Sequence, residues 1–297
     1  MTLKENGNGR TVASPSAGAN NRLRDHYKGK VNIENAHIYA SIRKNIRRQL
    51  PQIGMDPRKN PQKAMMICGG PSTTDYLDEI RRRKRQGWKI VTLNNAHNWA
   101  REQGLKVGAQ IMLDARPYNV RFVAEPIEGC RYLIASQCDP SIFEALKDHE
   151  VFVWHAAGEE EQKILDPYYQ KRYIPIQGGT TVGSRALWLL YTLGFRKIAI
   201  YGMDSCIRDK KQHHAYKQPE NDTEIIHKLR IGRKIFWAHP WMTVQCDELL
   251  QMLPMLPNDL LLQWKGDGLI PHVMGEIIKH GKPPKMQILD EGKLLQE

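Results

Sequence analysis

The sequence has few cysteines, and their spacing does not form a metal or disulfide motif. Five cysteines occur in 297 residues, and no two of them form a C-x-x-C pair. This count disfavours a zinc knuckle and a disulfide scaffold and fits a reducing compartment. No apolar run is long enough to cross a bilayer, and the first residues lack the apolar core of a signal peptide. We therefore expect a cytoplasmic protein without a membrane span.

Three motifs of well-known enzyme sites are also missing. The sequence contains no G-x-x-x-x-G-K-[ST] loop, no G-x-G-x-x-G fingerprint and no G-x-S-x-G elbow. A P-loop ATPase, a standard dehydrogenase and a hydrolase with that nucleophile are therefore disfavoured.

Acidic residues are too few to balance the basic ones. The chain carries 44 Lys and Arg against 32 Asp and Glu, a net charge of +12, which indicates an acidic partner or substrate. Basic residues are frequent between positions 22 and 59, and a second run occupies positions 81–85. The second run ends a predicted helix, where cations complement the helix dipole. The basic N-terminal region permits nucleic-acid binding without requiring it.

The chain divides at about residue 62 into two predicted parts. Residues 1–62 form a basic N-terminal extension, with a polar, disordered start and a helix over residues 33–50. From residue 63 onward, apolar strand-like runs alternate with helical segments. This alternation predicts an α/β domain over residues 63–297, with a largely parallel sheet flanked by helices.

Several further elements are predicted in the second part. Residues 155–177 have little periodicity and are expected to cover the site as a loop. Residues 225–237 are expected to form a hairpin turning near Gly232, and residues 242–256 and 269–280 to form helices. Residues 260–264 are expected to be the last strand.

The stretch over residues 63–74 is the first candidate for binding chemistry. A buried strand precedes Gly69 and Gly70, and Ser72 or Thr73 then opens a helix. Glycines allow a ligand to approach the backbone, and the helix N-terminus favours an anion. A turn of this kind predicts phosphate binding. An ordinary strand-to-helix turn that binds no ligand is an equally good interpretation of the same residues.

A second glycine turn repeats this arrangement. Gly179, Thr180 and Thr181 precede an apolar helix, just as Gly69, Gly70 and Ser72 do. We expect the two turns to form opposite walls of one nucleotide site.

Polar residues follow several predicted strands, at the edge where ligands of α/β sheets bind. Asn94 and Asn95 can bind a base or a sugar, or simply form a turn. Asp114 and Asp204 can bind Mg²⁺ or contact a ribose, or cap helices instead, and Asp204 is also a candidate catalytic residue.

His213 and His214 lie in a polar loop after the strand that ends near Asp204. Imidazole titrates near neutral pH, so either side chain can act as a general base or neutralise a phosphate. Surface histidines without a function are the alternative interpretation.

Taken in order, these motifs resemble the 6-hydroxymethylpterin diphosphokinase MptE-like family. Residues 67–72 resemble its G-P-S element, and residues 94–96 its strand-end asparagine. Residues 179–183 and 200–204, followed by the two histidines, are similar to its later elements. The same order is similar to that of motility-associated flagellin glycosyltransferases and of bacterial sialyltransferases that use CMP-sialic acid.

The resemblance covers residues 63–217 and implies a Rossmann-like transferase. It implies transfer of pyrophosphate from ATP to a hydroxymethyl acceptor with the help of Mg²⁺. The alternative is a glycosyltransferase that uses a nucleotide-sugar and a glycan acceptor, with a histidine base and no essential metal. This sequence has Gly-Gly-Thr-Thr where the sialyltransferases have a Ser-Gly element. A nucleic-acid-binding protein without catalysis stays open as a third interpretation.

Overall fold

The computed structural model describes residues 33–54, 62–209, 211–216 and 226–293. A parallel sheet of eight strands lies at the centre of this part of the chain. A smaller sheet of three strands accompanies it. In chain order the strands of both sheets are β1 (Ala64–Ile67), β2 (Lys89–Leu93), β3 (Ala109–Met112), β4 (Arg131–Ala135), β5 (Val151–Ala156), β6 (Pro175–Ile176), β7 (Lys197–Tyr201), β8 (Ile226–Ile231), β9 (Lys234–Ala238), β10 (Leu261–Lys265) and β11 (Met286–Lys293). The main sheet has the order β10-β7-β1-β2-β3-β4-β5-β6. β1 therefore lies between β2 and β7, and all four of its residues are buried.

Helices flank this sheet, as predicted. In chain order they are α1 (Asn35–Ile46), α2 (Leu77–Arg85), α3 (Ala96–Glu102), α4 (Pro140–Ala145), α5 (Glu159–Tyr169), α6 (Val182–Thr192), α7 (Pro240–Met252) and α8 (Leu269–His280), with 3-10 segments at Pro71–Tyr76, Pro117–Val123 and Leu253–Met255. The Rossmann-like α/β class is thus confirmed. None of the helices in the described ranges has the length and apolar composition needed to cross a membrane.

The predicted hairpin is confirmed and belongs to a second, smaller sheet. β8 and β9 pair antiparallel around Gly232, which has a φ of +57°. β11 pairs antiparallel with β8 on its other side. The strand predicted at residues 260–264 is confirmed as β10, but the expectation that it is the last strand is wrong, because β11 follows it. β11 was missed because its pairing partner is distant in the sequence.

The expected loop over residues 155–177 is also wrong. These residues contain the end of β5, all of α5 and the short strand β6. Leu165 is the one residue of α5 that is buried, and it packs with Ile42 and Ile46 of α1 in a small separate core. A helix with so narrow an apolar face shows little periodicity in its sequence.

The described part of the N-terminal extension packs on the main sheet. The buried Asn45 side chain on α1 donates to the carbonyl oxygens of Ser136 (2.9 Å) and Cys138 (2.7 Å). Further on, the Ile53 backbone donates to the Val153 carbonyl at 3.0 Å. The predicted disordered start lies outside the described residues, as do the basic residues at positions 22–30, so nucleic-acid binding there stays a prediction.

Candidate functional site

The turns after β1 and β7 are joined backbone to backbone. Cys68 donates to the Tyr201 carbonyl and Gly70 to the Gly202 carbonyl, each at 2.8 Å. A Cβ added to Gly70 would lie 2.5 Å from the Gly202 oxygen and 2.5 Å from Asp204 Oδ2. Gly70 therefore permits the close approach of another turn of the protein. A ligand contact at Gly70 stays a prediction.

Ser72 and Asp204 hold these two turns together. The Ser72 backbone donates to Asp204 Oδ2 at 2.8 Å, and its hydroxyl donates to Oδ1 at 2.7 Å. Asp204 is 2% exposed. Burial raises the pKa of Asp204, while the two hydrogen bonds from Ser72 oppose that rise. The carboxylate thus accepts hydrogen bonds at the start of the 3-10 segment Pro71–Tyr76.

Gly69 faces the opposite side of the turn. A Cβ there would lie 2.5 Å from the Tyr216 hydroxyl and 3.1 Å from Cδ2 of His214. The Ala215 backbone donates to the Gly69 carbonyl at 3.0 Å, and the His214 and Tyr216 rings stack with centroids 5.3 Å apart. The loop with the predicted histidines therefore lies directly over the first glycine turn.

His213 belongs to a cluster of aromatic rings beside this loop. Its ring centroid lies 4.1 Å from that of His214, 5.2 Å from that of His239 and 5.4 Å from that of Trp241. Burial, and then the two neighbouring imidazoles, lower the pKa of His213 to about 2. His213 is therefore neutral at physiological pH and, without a bound anion, a weak base.

Arg121 is a site residue that sequence reasoning missed. Burial raises the pKa of Tyr216, and the positive charge of Arg121 opposes this rise, so the guanidinium acts on the same hydroxyl that covers Gly69. The Arg121 guanidinium also packs on the rings of Tyr118 (5.0 Å) and Phe122 (5.1 Å). Arginine forms two parallel hydrogen bonds to phosphate, which makes this placement chemically significant. No motif marks it, because it lies in the irregular segment after β3.

The Asn94 turn is tied to the same segment by a buried amide. Gln110 Nε2 donates to the carbonyl oxygens of Asn94 (3.0 Å) and Phe122 (3.3 Å). Asn94 has a φ of +45°, and its Oδ1 atom is buried without a hydrogen-bond partner among the described residues. A buried acceptor of this kind needs a donor from water or from a ligand.

Asn98 makes a second connection. Its side-chain amide donates to Asn95 Oδ1 at 2.9 Å and to the Arg121 carbonyl at 3.1 Å. Asn95 itself precedes α3. The predicted asparagine pair and the unpredicted arginine are thus parts of one connected arrangement.

The second glycine turn is attached to the β7 turn through α7. Gln245 donates from Nε2 to Thr181 Oγ1 at 3.1 Å and accepts from the Ser205 hydroxyl at 2.6 Å. The Thr180 backbone and hydroxyl both donate to Glu248 Oε2 at 2.9 Å.

Gly179 lies against the same Glu248 carboxylate, since a Cβ there would clash with Oε2. A ligand phosphate at Thr180 would have to displace this carboxylate. That the two glycine turns form opposite walls of one nucleotide site therefore stays a prediction.

The two aspartates predicted to bind metal lie apart. Asp114 pairs with Arg116, whose Nε lies 2.7 Å from Oδ2. Asp114 follows β3 and Asp204 follows β7, and β1 and β2 lie between those strands, a separation of about 14 Å at the usual strand spacing. The described residues also contain no group of three or more His, Cys, Asp or Glu that could hold a metal. The two carboxylates do not form one Mg²⁺ site, and binding by either alone stays a prediction.

The sheet, with glycine turns and polar residues at its carboxyl edge, defines a Rossmann-like α/β protein. The chain belongs to the 6-hydroxymethylpterin diphosphokinase MptE-like family, whose sequence profile matches residues 36–210, more than half of the chain. The resemblance inferred from the motifs is thus confirmed. The match begins within α1, inside the predicted N-terminal extension.

Two solved structures resemble the fold. The MAf glycosyltransferase from Magnetospirillum magneticum AMB-1 matches 80% of this chain with a TM-score of 0.56 and 13% identity. This chain spans 38% of that protein. A mammalian sialyltransferase matches 84% of this chain and 83% of its own length, with a TM-score of 0.40 and 10% identity. No curated protein matches this chain in sequence.

Proposed function

We propose that the protein is a transferase that binds the phosphates of ATP beside the turn at Gly69, next to the Tyr216 and His214 side chains that cover it, and transfers pyrophosphate to a hydroxymethyl group. The observation that carries the proposal is the placement of the His214 and Tyr216 side chains against Gly69, with the positive charge of Arg121 close enough to oppose the rise in the Tyr216 pKa. A glycine, a guanidinium, an imidazole and a phenol together suit a polyanion. The MptE-like family, whose name denotes a diphosphokinase, supports the same reaction.

The proposed reaction is a substitution at the β-phosphorus of ATP. The acceptor hydroxyl oxygen forms a bond to that phosphorus, and the bond to the oxygen bridging the α- and β-phosphates breaks, which releases AMP. The acceptor hydroxyl loses its proton, and His213 or His214 is the proposed recipient. A bound phosphate would raise the pKa of His213 from its low value, because negative charge favours the imidazolium ion.

Asn94 and Asn95 are the proposed contacts to the base or the sugar. The buried Oδ1 atom of Asn94 offers an acceptor to an amino or hydroxyl group of the nucleoside. Mg²⁺, if the reaction uses it, would be held largely by the substrate phosphates, because Mg²⁺ at such sites needs only one or two protein carboxylates. No step is assigned to it.

A glycosyltransferase that uses a nucleotide-sugar is the second candidate. It is favoured by the separation of Asp114 from Asp204 and by the histidine cluster, because such a transfer can proceed with a histidine base. Its nucleotide would occupy the same position beside the turn at Gly69.

The nucleotide site is tested by thermal shift with ATP, CMP and UDP-glucose, with and without Mg²⁺. A ligand that binds only the native state raises the melting temperature. We expect ATP to stabilise the wild type and Arg121→Gln to lose that effect. Arg131→Gln is the matched control, because Arg131 is exposed and pairs with Glu150 at the start of β4, on the other edge of the sheet. Equal ATP shifts in both variants would disprove the site.

A further inference from the structure

Exposed lysines gather at the amino edge of the main sheet, where the strands begin and opposite to the glycine turns. Lys63 precedes β1, Lys89 begins β2 and Lys106 lies three residues before β3. The Lys89 backbone donates to the Lys63 carbonyl at 2.8 Å, so these two lysines are neighbours across the sheet. The three lysines are distant in the sequence and come together only in the fold.

The last turn of α2 adds two cations to the same edge. Lys84 and Arg85 belong to the basic run at positions 81–85. The chain then turns towards β2, and the Gly87 backbone donates to the Lys84 carbonyl at 3.0 Å. Burial, and then the positive charges of Lys89 and Lys106, lower the pKa of Lys84, so these three lysines act on one another electrostatically. We call the following five residues the amino-edge cluster: Lys63, Lys84, Arg85, Lys89 and Lys106.

This cluster lacks a neutralising carboxylate. Its five members form no ion pair with any residue in the described ranges, whereas Arg131 and Arg196, at the same edge, pair with Glu150 and Asp259. Glu102 is the only acidic residue between positions 80 and 113. The dipole of α2 accounts for its own two cations but not for the three lysines on or beside strands. Like charges repel one another at short range, so a bound anion would relieve this repulsion.

The surface around the cluster favours one class of polyanion. None of the exposed large apolar side chains in the described ranges comes from residues 63–67 or 81–108, and the exposed Leu261 begins β10, two strands away from β1. Stable membrane attachment takes an apolar anchor besides charge, and a protein interface has an apolar core. Phosphate contacts alone, by contrast, supply non-specific binding to nucleic acid. Single strands also need exposed rings on which their bases stack, so a duplex fits this surface better.

We propose that the amino-edge cluster binds the phosphate backbone of a double-stranded nucleic acid without reading its base sequence. Each cation would contact a phosphate and release the counterions condensed there. β1 is four residues long, which separates this edge from the proposed nucleotide site by about 13 Å of strand. The duplex and the nucleotide would therefore bind independently of each other.

The test measures the fluorescence anisotropy of a short labelled DNA duplex with the full chain, over a series of salt concentrations. The double variant Lys89→Gln with Lys106→Gln removes two exposed cations. We expect its affinity to fall by about tenfold or more near 0.1 M salt, equally for two unrelated duplex sequences. The slope of log K against log salt should become shallower by about 2, since each phosphate contact contributes about 0.9.

The double variant Lys163→Gln with Lys279→Gln is the matched control. It loses the same net charge, and both lysines are exposed and pair with a glutamate of their own helix. The control should bind the duplex like the wild type. An equal loss of affinity in the control would overturn the proposal, because net charge alone would then explain binding.

Three other results would also overturn it. The first is a wild type that does not bind the duplex at low salt. The second is unchanged binding by the Lys89→Gln, Lys106→Gln variant, which would locate the contact elsewhere. The third is binding of the wild type to phosphatidylserine vesicles but not to the duplex, which would assign the cluster to an anionic membrane surface.

Discussion

Ser72 donates from its backbone and from its hydroxyl to the two carboxylate oxygens of Asp204, a residue 132 positions further along the chain. This pair connects the turn after β1 to the turn after β7 inside the protein. It explains why an aspartate at a strand end need not be a metal ligand. Its oxygens already serve two buried donors.

Removal of this carboxylate should destabilise the fold. Asp204→Ala leaves two buried donors of Ser72 without an acceptor, which should cost about 2–4 kcal/mol in the free energy of unfolding. Asp204→Asn keeps one oxygen and should cost less. Urea denaturation measures both. An Asp204→Asn variant with wild-type stability but no activity would contradict this structural role and indicate a direct part in the chemistry.

The two adjacent glycines should respond differently to substitution. Gly70→Ala places a methyl group 2.5 Å from the Gly202 carbonyl, a backbone atom that cannot turn away, so stability should fall by about 1–3 kcal/mol. Gly69→Ala meets the ends of the Tyr216 and His214 side chains, which can move. It should lose ATP binding with little change in melting temperature. The expectation fails if Gly70→Ala melts like the wild type.

Stability should fall in mild acid because of buried histidines. Burial lowers the pKa of His155 to about 4, and burial together with Arg101 does the same for His97. The unfolded chain takes up these protons as the pH falls below about 6.5, whereas the native protein does so only near pH 4. The free energy of unfolding should therefore decrease between those values, by about 1 kcal/mol per pH unit for each histidine.

Denaturation at a series of pH values checks this window. His155→Gln should give a shallower decrease than the wild type, whatever its absolute stability. His280→Gln is the control, because His280 is exposed at the end of α8. Parallel slopes for His155→Gln and the wild type would show that His155 does not titrate as inferred.

Metal dependence separates the two transferase reactions. Pyrophosphate transfer concentrates charge on neighbouring oxygens, so we expect EDTA to abolish AMP release from ATP and Asp114→Asn to reduce it. Nucleotide-sugar transfer should continue in EDTA and should fall by about 10²–10⁴ in rate in His214→Ala. Full AMP release in EDTA, together with an active Asp114→Asn variant, would exclude the diphosphokinase reaction as proposed.

The sequence correctly predicted the secondary-structure elements whose conformation depends on residues close by in the chain. The turn at Gly232 fixes the hairpin, and the apolar run of β1 ends where Gly69 and Gly70 begin. α5 was missed because it buries Leu165 alone, against a helix distant in sequence. Arg121 was missed for the same reason, since its importance depends on the position of Tyr216, which the sequence does not reveal.

The floor of the proposed nucleotide site is continuous with the centre of the main sheet, because Gly70 extends the pairing of β1 with β7 by one more backbone hydrogen bond. The Gly70 amide should consequently exchange its hydrogen with solvent as slowly as those of β1, through global unfolding alone. Substrate preference is then free to change at low cost only in the surrounding segments, at residues 116–122, 211–216 and β9. Any redesign of ligand preference should begin there.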